Sequence, residues 1–345
     1  MIHYPPPLQR GDTIGITAPS AGVGPDLEAR LQFSLSTLGQ MGFLVHEGKC
    51  LRSAAIVSAP ATQRADELMS MLLDDTIQAI LPPWGGELLI DLLPLLDFTA
   101  LAHAKPKWII GYSDLTTLML PYTLLTHTAT VHGSNLLETP NRVGMDGLAH
   151  WSDVLTLPAR ASFTQQPAMH YQANFVDWRS YPQATNWQGS EPVLWKCMHH
   201  EDDPHYSVEV SGRLIGGCLD VITALPASPY GDVPRFTREC APEGLLLYLE
   251  NVDGNTAQFC RMLHCLRLAG WCASANAILI GRSAGSQLRD FTVRDCLLDA
   301  LGDLPIPVIY HVDIGHVPPQ LILINGALAT LHFHPGQHWL MQTLA

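Results

Sequence analysis

The chain is short of charge. Asp, Glu, Lys and Arg make up 15% of its 345 residues, against roughly 25% in typical soluble proteins. Hydrophobic residues make up 47%. A disordered chain has the opposite balance, so disorder is excluded as the dominant state. Basic residues are the scarcest charges: Lys+Arg 19 against Asp+Glu 32 gives a net charge of −13. A nucleic-acid binder or a partner of an anionic membrane surface needs a basic footprint, and no run supplies one, so neither partner is expected. No apolar run approaches ~18 residues, so no transmembrane helix is expected. The N-terminal MIHYPPPLQRGD lacks a basic stretch leading into an apolar one, which predicts no secretory signal. Cysteines stand isolated at positions 50, 197, 218, 240, 260, 265, 272 and 296, with no Cys-x-x-Cys pair. Such thiols fit a reducing cytoplasm better than a disulfide scaffold.

At ~150 residues per domain the length predicts about two domains. In the first half, β-type runs at 13–18, 43–45, 77–81, 107–110 and 130–132 alternate with helical patterns at 25–42, 62–73 and 115–125. That alternation predicts an α/β domain over 1–160, a mostly parallel sheet covered on both faces. Residues 161–206 are polar and carry Trp178, Trp187 and Trp195. They read as a linker and loop, with the tryptophans either a satellite core or a ligand-stacking wall. Over 207–345, strands are expected at 208–215, 244–249, 277–280, 308–312 and 321–333, with helices at 256–269 and 290–301. The second domain is therefore expected to be α+β and β-barrel-like.

Gly111-Tyr112-Ser113-Asp114 follows a buried-type strand and leads at once into an apolar helix. A tight strand-to-helix turn of that kind projects a serine oxygen into a cleft and sets backbone N–H groups behind it. An ordinary helix cap is the competing reading, since Ser and Asp both cap. Gly281-Arg282-Ser283-Ala284-Gly285 is a literal G-x-S-x-G, with Asp303 or Asp313 and His316 after it. Its helical pattern begins only near 290, so a Gly/Ser loop is the better reading. Gly85-Gly86 at the end of the third strand lets a substrate approach backbone amides. Glu250 closes the strand 244–249, where a carboxylate can orient an imidazole. His316, in Asp313-Ile314-Gly315-His316, is a candidate general base. The run His199-His200-Glu201-Asp202-Asp203-Pro204-His205 lacks metal-ligand spacing and reads as a solvated loop.

Ser113 in GYSD, Glu250 in LYLEN and His316 in DIGH occur in order. With 11–20 (GDTIGITAPS), 212–217 (GRLIGG) and the strand-helix unit 244–270, they resemble the LD-carboxypeptidase family of serine peptidases, which includes the microcin C immunity hydrolases. The resemblance implies an N-terminal parallel α/β domain, a C-terminal barrel-like domain and a site between them. It implies a triad of Ser113 as nucleophile, His316 as base and then acid, and Glu250 as orienter. The oxyanion hole would be the backbone N–H groups of Asp114 and Gly86. No metal and no organic cofactor are implied, and a homodimer is.

Muropeptide-cleaving members of that family typically carry Arg before the Gly-Gly pair, where this chain has Trp84, and often Asn after the second Gly-Gly, where it has Cys218. The tryptophan-bearing loop is closer to the immunity branch, where an aromatic side chain stacks on adenine. Trp84, Gly85, Glu87, Trp178 and Trp187 are therefore the candidate substrate contacts. The expected reaction is release of a terminal D-alanine from a murein tetrapeptide. The alternatives are hydrolysis of an aminoacyl- or peptide-nucleotide conjugate, and an inactive binding protein on the same fold; three retained triad residues speak against the last.

Overall fold

A computed structural model describes residues 1–173, 176–201 and 203–344. The chain opens with β1 (Thr13–Ile16), α1 (Glu28–Met41), β2 (Leu44–Glu47), α2 (Ala61–Leu73) and β3 (Ile77–Ile80). It continues through α3 (Phe98–His103), β4 (Trp108–Gly111), α4 (Thr116–Thr126), β5 (Thr130–His132) and α5 (Trp151–Leu155). The five strands pair in the order β5-β4-β3-β1-β2, all parallel. Every residue of β4 and β5 is buried, as expected for strands covered on both faces. Leu31, Leu35 and Leu38 of α1 fill one face of this sheet, while Leu68, Met71 and Leu72 of α2 belong to a separate cluster with Ile80 and Ile109. The α/β reading of the first half holds.

Four short strands follow: β6 (Ser162–Gln165), β7 (His170–Tyr171), β8 (Glu191–Pro192) and β9 (Lys196–Cys197). Then come β10 (Val208–Cys218), α6 (Leu219–Ile222), α7 (Val233–Cys240), β11 (Leu245–Glu250), α8 (Thr256–Leu268), β12 (Ala275–Gly281), α9 (Val293–Leu301) and β13 (Val308–Val312). The chain ends on β14 (Leu323–Asn325), β15 (Leu328–Phe333) and β16 (Trp339–Thr343). The second sheet has the order β6-β16-β15-β10-β11-β12-β13-β9. Its centre, β10 to β13, is parallel, and antiparallel strands flank it on both sides. The strand-rich second unit is present as expected, but the sheet stays open between β6 and β9 and forms no closed barrel among the described residues.

Two details differ from the sequence reading. The stretch 161–206 supplies both edge strands of the second sheet, β6 and β9, besides its loops. The single strand expected at 321–333 is two, turned at Gly326 with φ +89°. The first of them, β14, pairs antiparallel with β5 and so completes the first sheet. This pairing couples the two sheets, and β10 lies beside α4. The carboxyl ends of β4 and β11 therefore meet at one cleft.

Candidate active site

β4 is apolar and fully buried, and it runs through Tyr112 into a turn at Ser113. Ser113 has φ +66°, the left-handed region that L-residues with a side chain avoid. α4 follows directly. This is the strand–turn–helix geometry of a nucleophile elbow, with strain at the residue to be presented. Neither Ser113 nor Asp114 caps the helix. The Asp114 carboxylate is buried and turned away, accepting hydrogen bonds from Ser20 Oγ (2.5 Å), Leu89 N (2.9 Å) and Thr117 Oγ1 (3.1 Å). Gly85 lies against the elbow so closely that a Cβ there would sit 2.8 Å from Ser113 Oγ and 2.8 Å from Asp114 N. Only a glycine leaves that space open, and Gly86 continues against Ser20 and Ala21.

Glu250 is the last residue of β11 and is fully buried. Its Oε2 accepts two hydrogen bonds from His316, from the backbone N at 3.0 Å and from Nδ1 at 2.7 Å. Gly315, φ +89°, makes this possible, because a Cβ there would collide with the Glu250 carboxylate. A donating Nδ1 leaves Nε2 as the basic nitrogen. The His316 ring packs on Tyr112, the residue before Ser113, with ring centres 4.8 Å apart. Tyr112 is itself held by donating to Glu138 Oε1 at 2.6 Å. Thus the histidine of the second sheet sits against the elbow of the first. Burial lowers the His316 pKa, but the charge and hydrogen bond of Glu250, with Glu138 and Asp220 beyond, outweigh it and raise it above 6.5. Burial raises the Glu250 carboxyl, while His316 and His132 bring it below its ordinary value.

Residues 14–133 match the LD-carboxypeptidase N-terminal domain, and residues 211–331 match the LD-carboxypeptidase C-terminal domain. The chain belongs to the LD-carboxypeptidase family. It is 27% identical over 338 residues to the microcin C7 self-immunity protein MccF of Escherichia coli, covering 95% of this chain and 92% of that one. It is 26% identical over 335 residues to a protein of Bacillus subtilis named as a probable murein peptide carboxypeptidase, covering 96% and 92%. The fold matches the solved structure of MccF in complex with glutamyl sulfamoyl guanosine, with a TM-score of 0.79, 22% identity and 98% of each chain covered. It matches that of an MccF-like protein from Bacillus anthracis equally well, with a TM-score of 0.79, 20% identity and 99% of each chain covered. By family the protein is a serine peptidase or hydrolase.

Trp84, Trp178 and Trp187 line one cavity of about 450 Å³. Trp84 is fixed by donating from Nε1 to the carbonyls of Ala21 and Gly22, 3.1 Å each. The Arg30 guanidinium lies over the Trp178 ring at 4.7 Å. Trp195 is elsewhere: it is buried, with its Nε1 donating to Asp313 Oδ2 at 2.7 Å. Glu87 is exposed. Partial burial and then the charges of Asp253, Asp114 and Asp220 raise its carboxyl pKa.

Ser283 has the surroundings of a loop residue. Its Oγ accepts from Asn251 Nδ2 at 2.7 Å, and α9 begins only at Val293. Both acids that its motif offered are engaged elsewhere, Asp313 with Arg282 and Asp303 with Arg267. The histidine run 199–205 is an exposed loop where described, with Glu201 held by Arg294 and Lys196; Asp202 lies outside the described residues.

Two groups have metal-ligand atoms within 4.8 Å of one another: Cys218, Glu250 and His316, and Cys260, His264 and Asp299. In the first, the groups are already engaged, Cys218 Sγ with Asp220 Oδ2 (3.7 Å) and His316 Nδ1 with Glu250 Oε2 (2.7 Å). In the second, the groups already satisfy one another through His264 Nε2 to Asp299 (2.8 Å) and Cys260 Sγ to Asp299 (3.4 Å).

Two residues escaped the sequence reading. The Asp220 carboxylate accepts from the backbone N–H groups of Val252, Asp253 and Gly254 and fixes the loop after Glu250. His132, at the end of β5, is buried behind Glu250. Neither stands near Ser113, Glu250 or His316 in sequence, so no spacing marks them.

Proposed function

We propose that Ser113, His316 and Glu250 act as a catalytic triad that hydrolyses an amide beside a carboxyl terminus. His316 Nε2 takes the proton as Ser113 Oγ attacks the carbonyl carbon. The oxyanion is received by the backbone N–H groups of Asp114 and Gly86. As the C–N bond breaks, His316 returns the proton to the leaving amine, and water then releases the acyl group by the same route. The observation that carries this is the double hydrogen bond from His316 to one oxygen of a fully buried glutamate. It fixes the tautomer in which Nε2 is the base.

The proposed substrate is a murein tetrapeptide that loses its terminal D-alanine, in keeping with the relative named as a murein peptide carboxypeptidase. A second reading has its own support in the cavity walled by Trp84, Trp178 and Trp187. An aromatic lining suits a planar heterocycle, as in an aminoacyl-nucleotide conjugate, and MccF has been solved with glutamyl sulfamoyl guanosine. In both, Gly85 and Glu87 border the scissile bond.

Mass spectrometry of the two substrates, each incubated with wild type and with Ser113→Ala, tests both readings. Loss of D-alanine supports the first and cleavage of only the conjugate supports the second. Either activity should fall by a factor of up to ~10⁶ in Ser113→Ala. Full activity in that variant removes the triad assignment.

A further inference from the structure

Helices α8 and α9 pack against each other, and Cys260, Leu263 and Leu266 of one share a buried cluster with Cys296, Leu297 and Ala300 of the other. At the solvent edge of this contact stand Cys260, His264 and Asp299, whose ligand atoms lie within 4.8 Å of one another. Cys260 and His264 are one helical turn apart on α8, so they share a face. Asp299 meets them from α9. None of the three belongs to the triad or to the cavity of the three tryptophans.

The spacing is that of a coordination shell. A tetrahedral zinc ion, bonded to sulfur at about 2.3 Å and to nitrogen or oxygen at about 2.0–2.2 Å, sets its ligand atoms roughly 3.3–3.7 Å apart. Here Cys260 Sγ is 3.4 Å from Asp299 Oδ1, and His264 Nε2 is 2.8 Å from the same oxygen. Only the histidine side has to open, by less than about 1 Å. It is free to do so, because the His264 and Asp299 side chains are 42% and 58% exposed, while the buried Cys260 is the fixed point. A hydrogen bond between two such exposed groups contributes little, so an ion displaces it at small cost. The group of Cys218, Glu250 and His316 differs on both counts. Cys218 and Glu250 are fully buried, and Glu250 is committed to two bonds from His316.

We infer that Cys260, His264 and Asp299 bind one zinc-class divalent cation, with water as the fourth ligand, and that the ion clips α8 to α9. One sulfur, one nitrogen and one oxygen suit a borderline ion, whereas magnesium and calcium take oxygen ligands. Binding exchanges a proton for the metal: the Cys260 S–H bond breaks, a sulfur–metal bond forms, and the proton goes to solvent. The His264 proton moves to Nδ1, which leaves the Nε2 lone pair for the ion. Burial, and then the hydrogen bond and charge of Asp299, raise the Cys260 thiol, while the neighbouring Cys296 thiol lowers it. Affinity should therefore rise with pH. α8 follows Glu250 through a short loop and α9 follows the GRSAG loop, so the clip braces the helices behind both.

The test needs no substrate. Untagged full-length protein is titrated with Zn²⁺ against a chromophoric chelator, and with Co²⁺ as the spectroscopic probe. Wild type should take up one equivalent of Zn²⁺ with micromolar or tighter affinity. Co²⁺ should give the intense visible bands of a tetrahedral site and a thiolate charge-transfer band, and Cys260→Ser should lose the latter. His264→Gln and Asp299→Asn change exposed side chains and keep the fold. Each should weaken Zn²⁺ binding by more than the roughly 10–100-fold that loss of a supporting group costs. Zn²⁺ should raise the Tm of wild type and leave that of His264→Gln unchanged. No binding in the micromolar range, or an equivalent that survives both His264→Gln and Asp299→Asn, overturns the site. An equivalent lost in His316→Gln and kept in His264→Gln puts the ion on the triad and overturns it equally.

Discussion

His132 Nε2 faces Glu250 Oε1 across 3.7 Å, and neither atom has a hydrogen-bond partner among the described residues. Both residues are fully buried, with the rings of Tyr112 and Tyr248 set edge-on to the imidazole at 6.0 and 5.3 Å. Burial pushes His132 down to about 4, more strongly than Glu250 holds it up, so it is neutral at working pH. One glutamate oxygen thus takes both bonds from His316 while the other meets only the dipole of a neutral imidazole. Replacing His132 by Phe keeps the ring packing and removes that dipole. The expected result is a fold as stable as wild type, because two orphaned polar nitrogens disappear, with kcat/KM lower by about tenfold. The acid limb of the kcat/KM profile should move to higher pH, because the dipole end that faces Glu250 also opposes positive charge on His316. A profile displaced to lower pH would contradict this account.

Ser113 at φ +66° stores strain that a glycine would release. Ser113→Ala keeps the strained Cβ and Ser113→Gly removes it. Both variants should be inactive, and the glycine variant should be the more stable by about 1 kcal/mol. Urea denaturation of the pair measures this difference directly. Equal stability, or the reverse order, would mean that the elbow is not under strain.

The proposed roles of Ser113, Glu250 and His316 came from the resemblance to the family and not from local pattern, but the three could be singled out in the sequence because each follows or closes a strand with a strong apolar signature. The first five strands were legible for the same reason. The partners of these residues were not. β6 and β9 are four and two residues long, too short to show an alternation, so the segment carrying them reads as linker. The break at Asn325-Gly326 is a turn signal inside an apolar run, and the run's hydrophobicity hid it. Pairing of β14 with β5 brings together residues almost 200 positions apart, and local pattern holds no information on it.

Stability should fall on the acid side, and three histidines account for much of it. His132, His150 and His311 are each pushed down to about 4, chiefly by burial. His150 is locked neutral, with Nε2 donating to the Thr139 carbonyl (3.1 Å) and Nδ1 accepting from Ser152 N (3.2 Å). Between pH 6.5 and 4 the unfolded chain binds these protons and the folded chain does not, so unfolding becomes easier as pH falls through that window. Each site contributes up to about 3 kcal/mol over the window. Thermal melts from pH 7 to 4.5 should show a falling Tm, with a shallower slope in His150→Gln. An unchanged slope would remove His150 from the account.

His316 runs the other way. Burial lowers its pKa, but the Glu250 charge and hydrogen bond, helped by Glu138 and Asp220, leave it above 6.5. Its contribution to stability is complete below pH 6.5 and is lost as pH rises through the folded value. Its contribution to catalysis has the opposite sign, because a base works deprotonated. The kcat/KM profile should therefore fall on the acid side with a midpoint above 6.5. Glu250→Gln removes the largest favourable influence and leaves burial with less opposition, so the midpoint should drop while the maximal rate falls. That shift separates an electrostatic role for Glu250 from a purely steric one, which would lower the rate and leave the midpoint in place. Measuring kcat/KM from pH 5 to 9 on wild type and the Gln variant decides between them.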